Sequence, residues 1–156
     1  MSHGIQFGRN AALDKKDRAP LAVAAVTPAA VRVDKTGGTG MAIDWKDGHR
    51  SHYGFKWLRD ACPCANCNEE RDAEQRRPGE PKKESPGLLP MYKAPIKPEQ
   101  VDAVGRYAIS FKWNDGHETG IYSWEYLRSF CGCAECVAAE SAQEPKAANS
   151  RDFGKP

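Results

Sequence analysis

No apolar run in this chain approaches the roughly 18 residues that a membrane-spanning helix requires; the most apolar stretch, Leu21 to Val33, is broken by Pro28 and carries Arg32. A surplus of one charge is also missing. The 23 basic and 21 acidic side chains leave a net charge of +2, too weak a field to argue for nucleic acid or an anionic membrane as a general partner. The opening MSHGIQFGRN has no basic segment followed by an apolar one, and Asp14 and Asp17 stand where a transit peptide avoids acids, so a cytoplasmic location is expected. Histidine is scarce, and none of His3, His49, His52 and His117 begins a His-x-Asp or His-x-Glu triplet of the kind a non-haem iron oxygenase uses. Gly37-Gly38-Thr39-Gly40 lacks the lysine of a phosphate-cradling loop.

What the chain has is six cysteines in two triplets of identical spacing, Cys62-Cys64-Cys67 and Cys131-Cys133-Cys136. The triplets close two longer copies of one motif. Aligning residues 43–67 with 111–136 pairs Trp45 with Trp113, Asp47-Gly48-His49 with Asp115-Gly116-His117, Tyr53 with Tyr122 and Leu58-Arg59 with Leu127-Arg128. An internal duplication of this kind implies units that cannot bury their apolar faces alone. Residues 1–28 and 138–156 are aperiodic and polar and read as disordered tails. Residues 68–98, with six prolines and alternating charges, read as a long surface loop. The ordered domain is therefore expected within 29–137, a core small enough to need a metal staple.

Each unit reads as a hairpin followed by a short helix. Tyr107, Ile109, Phe111 and Trp113 alternate with polar or small residues, the period of a half-buried strand, as do Met41, Ile43 and Trp45. Asp47-Gly48 and Asp115-Gly116 suggest type I′ turns with two positive-φ residues. Ser123 is placed to cap a helix carrying Trp124, Tyr126, Leu127 and Arg128, with Phe55, Trp57 and Leu58 as its counterpart. Preceding strands are expected at 30–34 and 100–104. The fold class is α+β: a small duplicated hairpin-plus-short-helix module with antiparallel sheet, metal-stapled.

Cysteines at i, i+2 and i+5 put three thiols on one turn, able to occupy three corners of a tetrahedron about 2.3 Å from a zinc ion. The fourth ligand must come from elsewhere, and His49 and His117 each sit on a tight hairpin turn. Arg59 and Arg128 precede the triplets and favour thiolate over thiol. The plainer alternative, buried free thiols, suits a lone cysteine better than two matched triplets. Disulfides are disfavoured because each triplet is odd and a Cys-x-Cys bridge is strained. His52 has no counterpart and His3 lies in a tail, so both are expected in solvent. The tryptophans and tyrosines fall at strand and helix spacing, which favours core packing over base stacking.

The run from Trp57 to Cys67 (WLRDACPCANC), with Trp113-Asn114-Asp115-Gly116-His117 later, resembles the N-terminal domain of gamma-butyrobetaine hydroxylase and trimethyllysine dioxygenase. Val104 to Ala108 and Asp115 to Ser123 resemble the stand-alone bacterial DUF971-type version of that domain. In the dioxygenases the resemblance implies one zinc ion on the three cysteines and the later histidine, which here are Cys62, Cys64, Cys67 and His117. The second triplet departs from many relatives. A pseudo-twofold axis would carry His49 to Cys131, Cys133 and Cys136 as a second set of four; the alternative is a relic whose thiols are merely packed, its turn loosened where Gly132 replaces Pro63.

These features favour a non-enzymatic metal-binding interaction module, with zinc as cofactor and a protein as partner, and without nucleic acid or membrane. No catalytic domain is expected beyond residue 137. Two other readings stay open. One is an iron–sulfur cluster binder or carrier, since three thiolates can hold three irons of a cubane. The other, by family analogy, is an accessory subunit of a separate oxygenase.

Overall fold

The computed structural model describes residues 20–143, apart from 86, 88 and 90. Two three-stranded antiparallel sheets make up its frame. The first is β1 (Pro28–Asp34), β2 (Gly40–Trp45) and β3 (Arg50–Tyr53), and the second is β4 (Pro98–Val104), β5 (Ala108–Trp113) and β6 (Ile121–Ser123), each in simple sequential order. Helix α1 (Phe55–Asp60) and α2 (Ala65–Ala73) follow the first sheet; α3 (Trp124–Ser129) and α4 (Ala134–Gln143) follow the second. This is the expected α+β duplication. The copies agree even in their irregularities: β1 slips register between Pro28 and Ala30, and β4 between Pro98 and Gln100. A proline at the start of an edge strand has no N–H to give, which is compatible with a local break in the ladder at both places.

The two central strands supply the core. Met41, Ile43 and Trp45 of β2 and Ile109, Phe111 and Trp113 of β5 are buried together with Leu58 and Leu127 from the helices. The halves are also tied by polar bonds to backbone. The Tyr53 hydroxyl donates to the Leu127 carbonyl at 2.5 Å, and its counterpart Tyr122 donates to the Leu58 carbonyl at 2.6 Å. Trp45 donates its indole N–H to Ser51 at 2.8 Å, whereas the buried Trp113 Nε1 has no partner, because the residue matching Ser51 is Gly120.

Several boundaries differ from expectation. Residues 1–19 and 144–156, most of the expected tails, lie outside the described residues. Within them order extends further than 29–137: Val23–Val26 forms a 3-10 turn with Ala25 buried, β1 starts at Pro28, and α4 continues to Gln143. The segment 68–98 does not begin as loop, since α2 runs to Ala73 and buries Arg71. Tyr107 precedes β5 and is exposed.

The hairpin turns also differ. Only the glycine of each Asp-Gly pair has positive φ, Gly48 at 90° and Gly116 at 86°. Trp45 N–H bonds the His49 carbonyl and Gly48 N–H the Trp45 carbonyl, a pattern repeated at Trp113, Gly116 and His117. Each is a three-residue loop ending on a left-handed glycine, not a type I′ turn. Asp47 and Asp115 keep ordinary backbone and use their carboxylates to accept the N–H of His49 (3.1 Å) and His117 (3.0 Å).

Candidate metal centre

The loop just described fixes where each imidazole goes. Gly116 lets the chain double back within three residues, and the Asp115 carboxylate holds the backbone of His117, so this side chain projects from a hairpin end toward the other unit. There it meets the turn between α1 and α2. Cys64 caps α2, its Sγ accepting the Cys67 N–H at 3.5 Å, which folds the first triplet around one point.

His117 Nε2 lies 3.1 Å from Cys62 Sγ, 3.5 Å from Cys64 Sγ and 3.6 Å from Cys67 Sγ. All four ligand atoms lie within 4.8 Å of one another. Bonds of about 2.3 Å to sulfur and about 2.0 Å to nitrogen at tetrahedral angles would place nitrogen and sulfur about 3.5 Å apart. The four residues therefore fit a single tetrahedral ion, and this cluster can hold a metal. Space around it is tailored as well: a Cβ on Gly120 would stand 2.5 Å from Cys62 Sγ.

The surroundings tune the donors. Burial pushes the Cys62 thiol up to about 12. Burial acts in the same direction on Cys64, but hydrogen bonds from Thr119 and the Cys67 amide outweigh it and bring that thiol down to about 7. Burial, followed by the neighbouring Cys64, raises Cys67. Burial and the Arg59 charge lower His117, against the opposing pull of Asp115, a net shift that favours the neutral imidazole a metal needs. Arg59 donates to Asp115 at 2.8 Å and reaches Cys67 Sγ at 3.7 Å, so it links the histidine hairpin to the cysteine turn.

One supporting residue went unread in the sequence. Arg71, 3% exposed, donates to the carbonyls of Asp60 at 2.9 Å and Cys62 at 2.6 Å and also bonds Asn68, clamping the backbone on which the triplet is built. The only available signal was an arginine one helical turn past Cys67.

The second triplet is a looser copy. His49, Cys133 and Cys136 bring ligand atoms within 4.8 Å of one another and can hold a metal as a three-donor group. Cys131, expected as the fourth donor, is outside that group. Its buried sulfur accepts the Ser51 hydroxyl at 2.9 Å, although it remains hydrogen-bonded with Cys133 and Cys136. His49 Nδ1 faces Asp47 at 3.0 Å and Nε2 faces Glu135 at 2.9 Å. Burial raises Cys136 to about 12, and the Cys136 amide lowers Cys133. All six cysteines are free thiols. His52 is exposed, and His3 lies outside the described residues.

Fold and site together define a duplicated domain in which each half lends a histidine to the other half's cysteine turn. The chain belongs to the family described as gamma-butyrobetaine hydroxylase-like, N-terminal, which matches residues 31–128. Gamma-butyrobetaine dioxygenase of Pseudomonas sp. (strain AK-1) is 31% identical over 114 residues, covering 69% of this chain and 25% of that enzyme. This chain thus spans about a quarter of the length of that relative. Among solved structures, a DUF971-family protein of unknown function from Acidithiobacillus ferrooxidans ATCC 23270 is 31% identical, covering 69% of this chain and 94% of its own, with a TM-score of 0.47. A solution NMR structure at 20% identity covers 76% of this chain and 83% of its own, with a TM-score of 0.45. Among the described residues no helix is long and apolar enough to cross a membrane.

Proposed function

We propose that this chain is a non-catalytic interaction module stapled by one zinc ion on Cys62, Cys64, Cys67 and His117, acting in the cytoplasm through a protein partner. One observation carries the reading: a single nitrogen, His117 Nε2, stands 3.1–3.6 Å from all three sulfurs of a turn on the other unit. Four protein donors close the coordination sphere, the arrangement of structural rather than catalytic zinc. Soft thiolates with one imidazole suit zinc better than the two histidines and carboxylate of an oxygenase iron. Sulfurs this close together favour one ion over a cubane, whose thiolates sit on separate irons.

The staple joins α1–α2 of the first unit to the β5–β6 hairpin of the second, so the metal would stabilise the packing of the duplicated halves. Apparent binding free energies of structural zinc, on the order of 10 kcal/mol, exceed what a core of this size supplies. The dioxygenase activity named for the Pseudomonas relative belongs to a much longer chain, and in this reading the present chain turns over no substrate. The test is metal analysis of protein purified without air, with Cys64→Ser beside it. Zinc without sulfide, lost together with thermal stability in the variant, supports the reading. Iron with acid-labile sulfide, or unchanged metal content in the variant, contradicts it.

A further inference from the structure

We propose that His49, Cys133 and Cys136 form a second divalent-metal site that is open and exchangeable, with Cys131 held outside it and the fourth position left to an exchangeable ligand. The proposal concerns the β2–β3 hairpin and the turn before α4, which the zinc staple does not use.

Two substitutions between the units carry the argument. At the position of Gly120 the first unit has Ser51. Glycine there leaves Cys62 Sγ room to approach His117, whereas the Ser51 hydroxyl donates to Cys131 Sγ and receives the Trp45 indole N–H. The Cys131 thiol is thus engaged by a buried hydroxyl and lies outside the donor group of His49, Cys133 and Cys136. At the position of Asn66 the second unit has Glu135, whose carboxylate reaches His49 Nε2 at 2.9 Å while its side chain stays 82% exposed. Three donors then converge with one soft ligand missing and an exposed carboxylate beside the histidine.

The histidine is prepared for a metal. Asp47 accepts at Nδ1, leaving the Nε2 lone pair directed outward, the arrangement in which a carboxylate orients a metal-binding imidazole. Both ring nitrogens face carboxylates, so the imidazole sits in a field that favours a cation beside it. Arg128 adds an independent sign of incompleteness. It is 7% exposed, bonds Asp47 at 2.9 Å, and leaves Nη1 without a partner. The matching Arg59 Nη1 reaches Cys67 Sγ. A metal that draws Cys136 inward would restore the equivalent contact. Open sites of three protein ligands exchange their fourth ligand, as closed four-ligand sites do not. The ion expected is a borderline divalent transition metal, served by two thiolates, an imidazole and an oxygen donor.

Cobalt(II) titration of the full chain under anaerobic, reducing conditions tests this. Two equivalents should bind. One should be released to a competing chelator slowly and the other rapidly; Cys133→Ser and His49→Ala should abolish the rapid one and spare the slow one. Glu135→Gln should speed rapid release about tenfold. Ser51→Gly, which installs the residue of the other unit, should slow that release and raise the thiolate-to-cobalt absorption of the second equivalent by about half, as a third thiolate joins. The proposal fails if the wild-type chain binds one equivalent that Cys133→Ser leaves unchanged. It also fails if the second equivalent already shows three-thiolate intensity and ignores Ser51→Gly. Absence of the slow equivalent with the rapid one intact would instead count against the zinc staple alone.

Discussion

Tyr53 and Tyr122 occupy equivalent places in the duplication, and each gives its hydroxyl hydrogen to a helix of the opposite unit, Tyr53 to the Leu127 carbonyl and Tyr122 to the Leu58 carbonyl. The same exchange governs the charges. Arg59 of the first unit bonds Asp115 of the second, and Arg128 of the second bonds Asp47 of the first. The crossed histidine–cysteine pairing is the third instance of one pseudo-twofold arrangement. A metal at the first turn therefore acts on contacts between halves, not within one.

Removing either hydroxyl deletes a buried hydrogen bond between the units, although the Leu127 carbonyl keeps the Phe130 N–H. Tyr122→Phe and Tyr53→Phe should each cost about 1–3 kcal/mol in urea unfolding. The pH dependence has a fixed sign. Burial raises both phenols above the ordinary value of 10, so above about pH 10 the unfolded chain holds fewer protons than the folded one. Stability present below pH 10 is then lost as pH rises past it, and Tyr122→Phe should flatten that limb. An unchanged slope in the variant would contradict the assignment.

Much of this was legible in the sequence. The paired Trp, Asp-Gly-His, Tyr, Leu-Arg and cysteine positions reveal the duplication, and duplication implies crossed ligands. Three things were not legible. Asp-Gly suggests a two-residue turn, but the glycine alone takes positive φ and aspartate serves as an acceptor for its histidine. The charge-rich run after Cys67 reads as loop because composition does not reveal that Arg71 is buried against the Asp60 and Cys62 carbonyls. Ser51 and Gly120 look like ordinary strand positions until their distance from a cysteine sulfur is known.

Arg71→Met keeps most of the side-chain volume and removes the clamp on the Asp60 and Cys62 carbonyls. It should lower stability by on the order of 3 kcal/mol, as expected for charge-assisted bonds to buried backbone. Metal loss to a chelator should also accelerate. A variant that melts lower but retains metal at the wild-type rate would separate Arg71 from the site.

Gly120→Ala and Gly132→Ala form a matched pair. A Cβ at 120 would meet Cys62 Sγ at 2.5 Å, while one at 132 meets nothing within 4 Å. The first should cost about 1–3 kcal/mol by overpacking and weaken metal retention. The second should be near neutral in both. Equal effects in thermal melting and chelator competition would contradict the packing derived for Cys62.

The most direct measurement is zinc-edge X-ray absorption on the Cys133→Ser/Cys136→Ser variant, in which only the first turn retains all three of its thiols. The zinc staple on Cys62, Cys64, Cys67 and His117 predicts three sulfurs at about 2.3 Å and one imidazole nitrogen at about 2.0–2.1 Å. A shell dominated by oxygen or nitrogen, or a variant that binds no zinc while remaining folded, would contradict it.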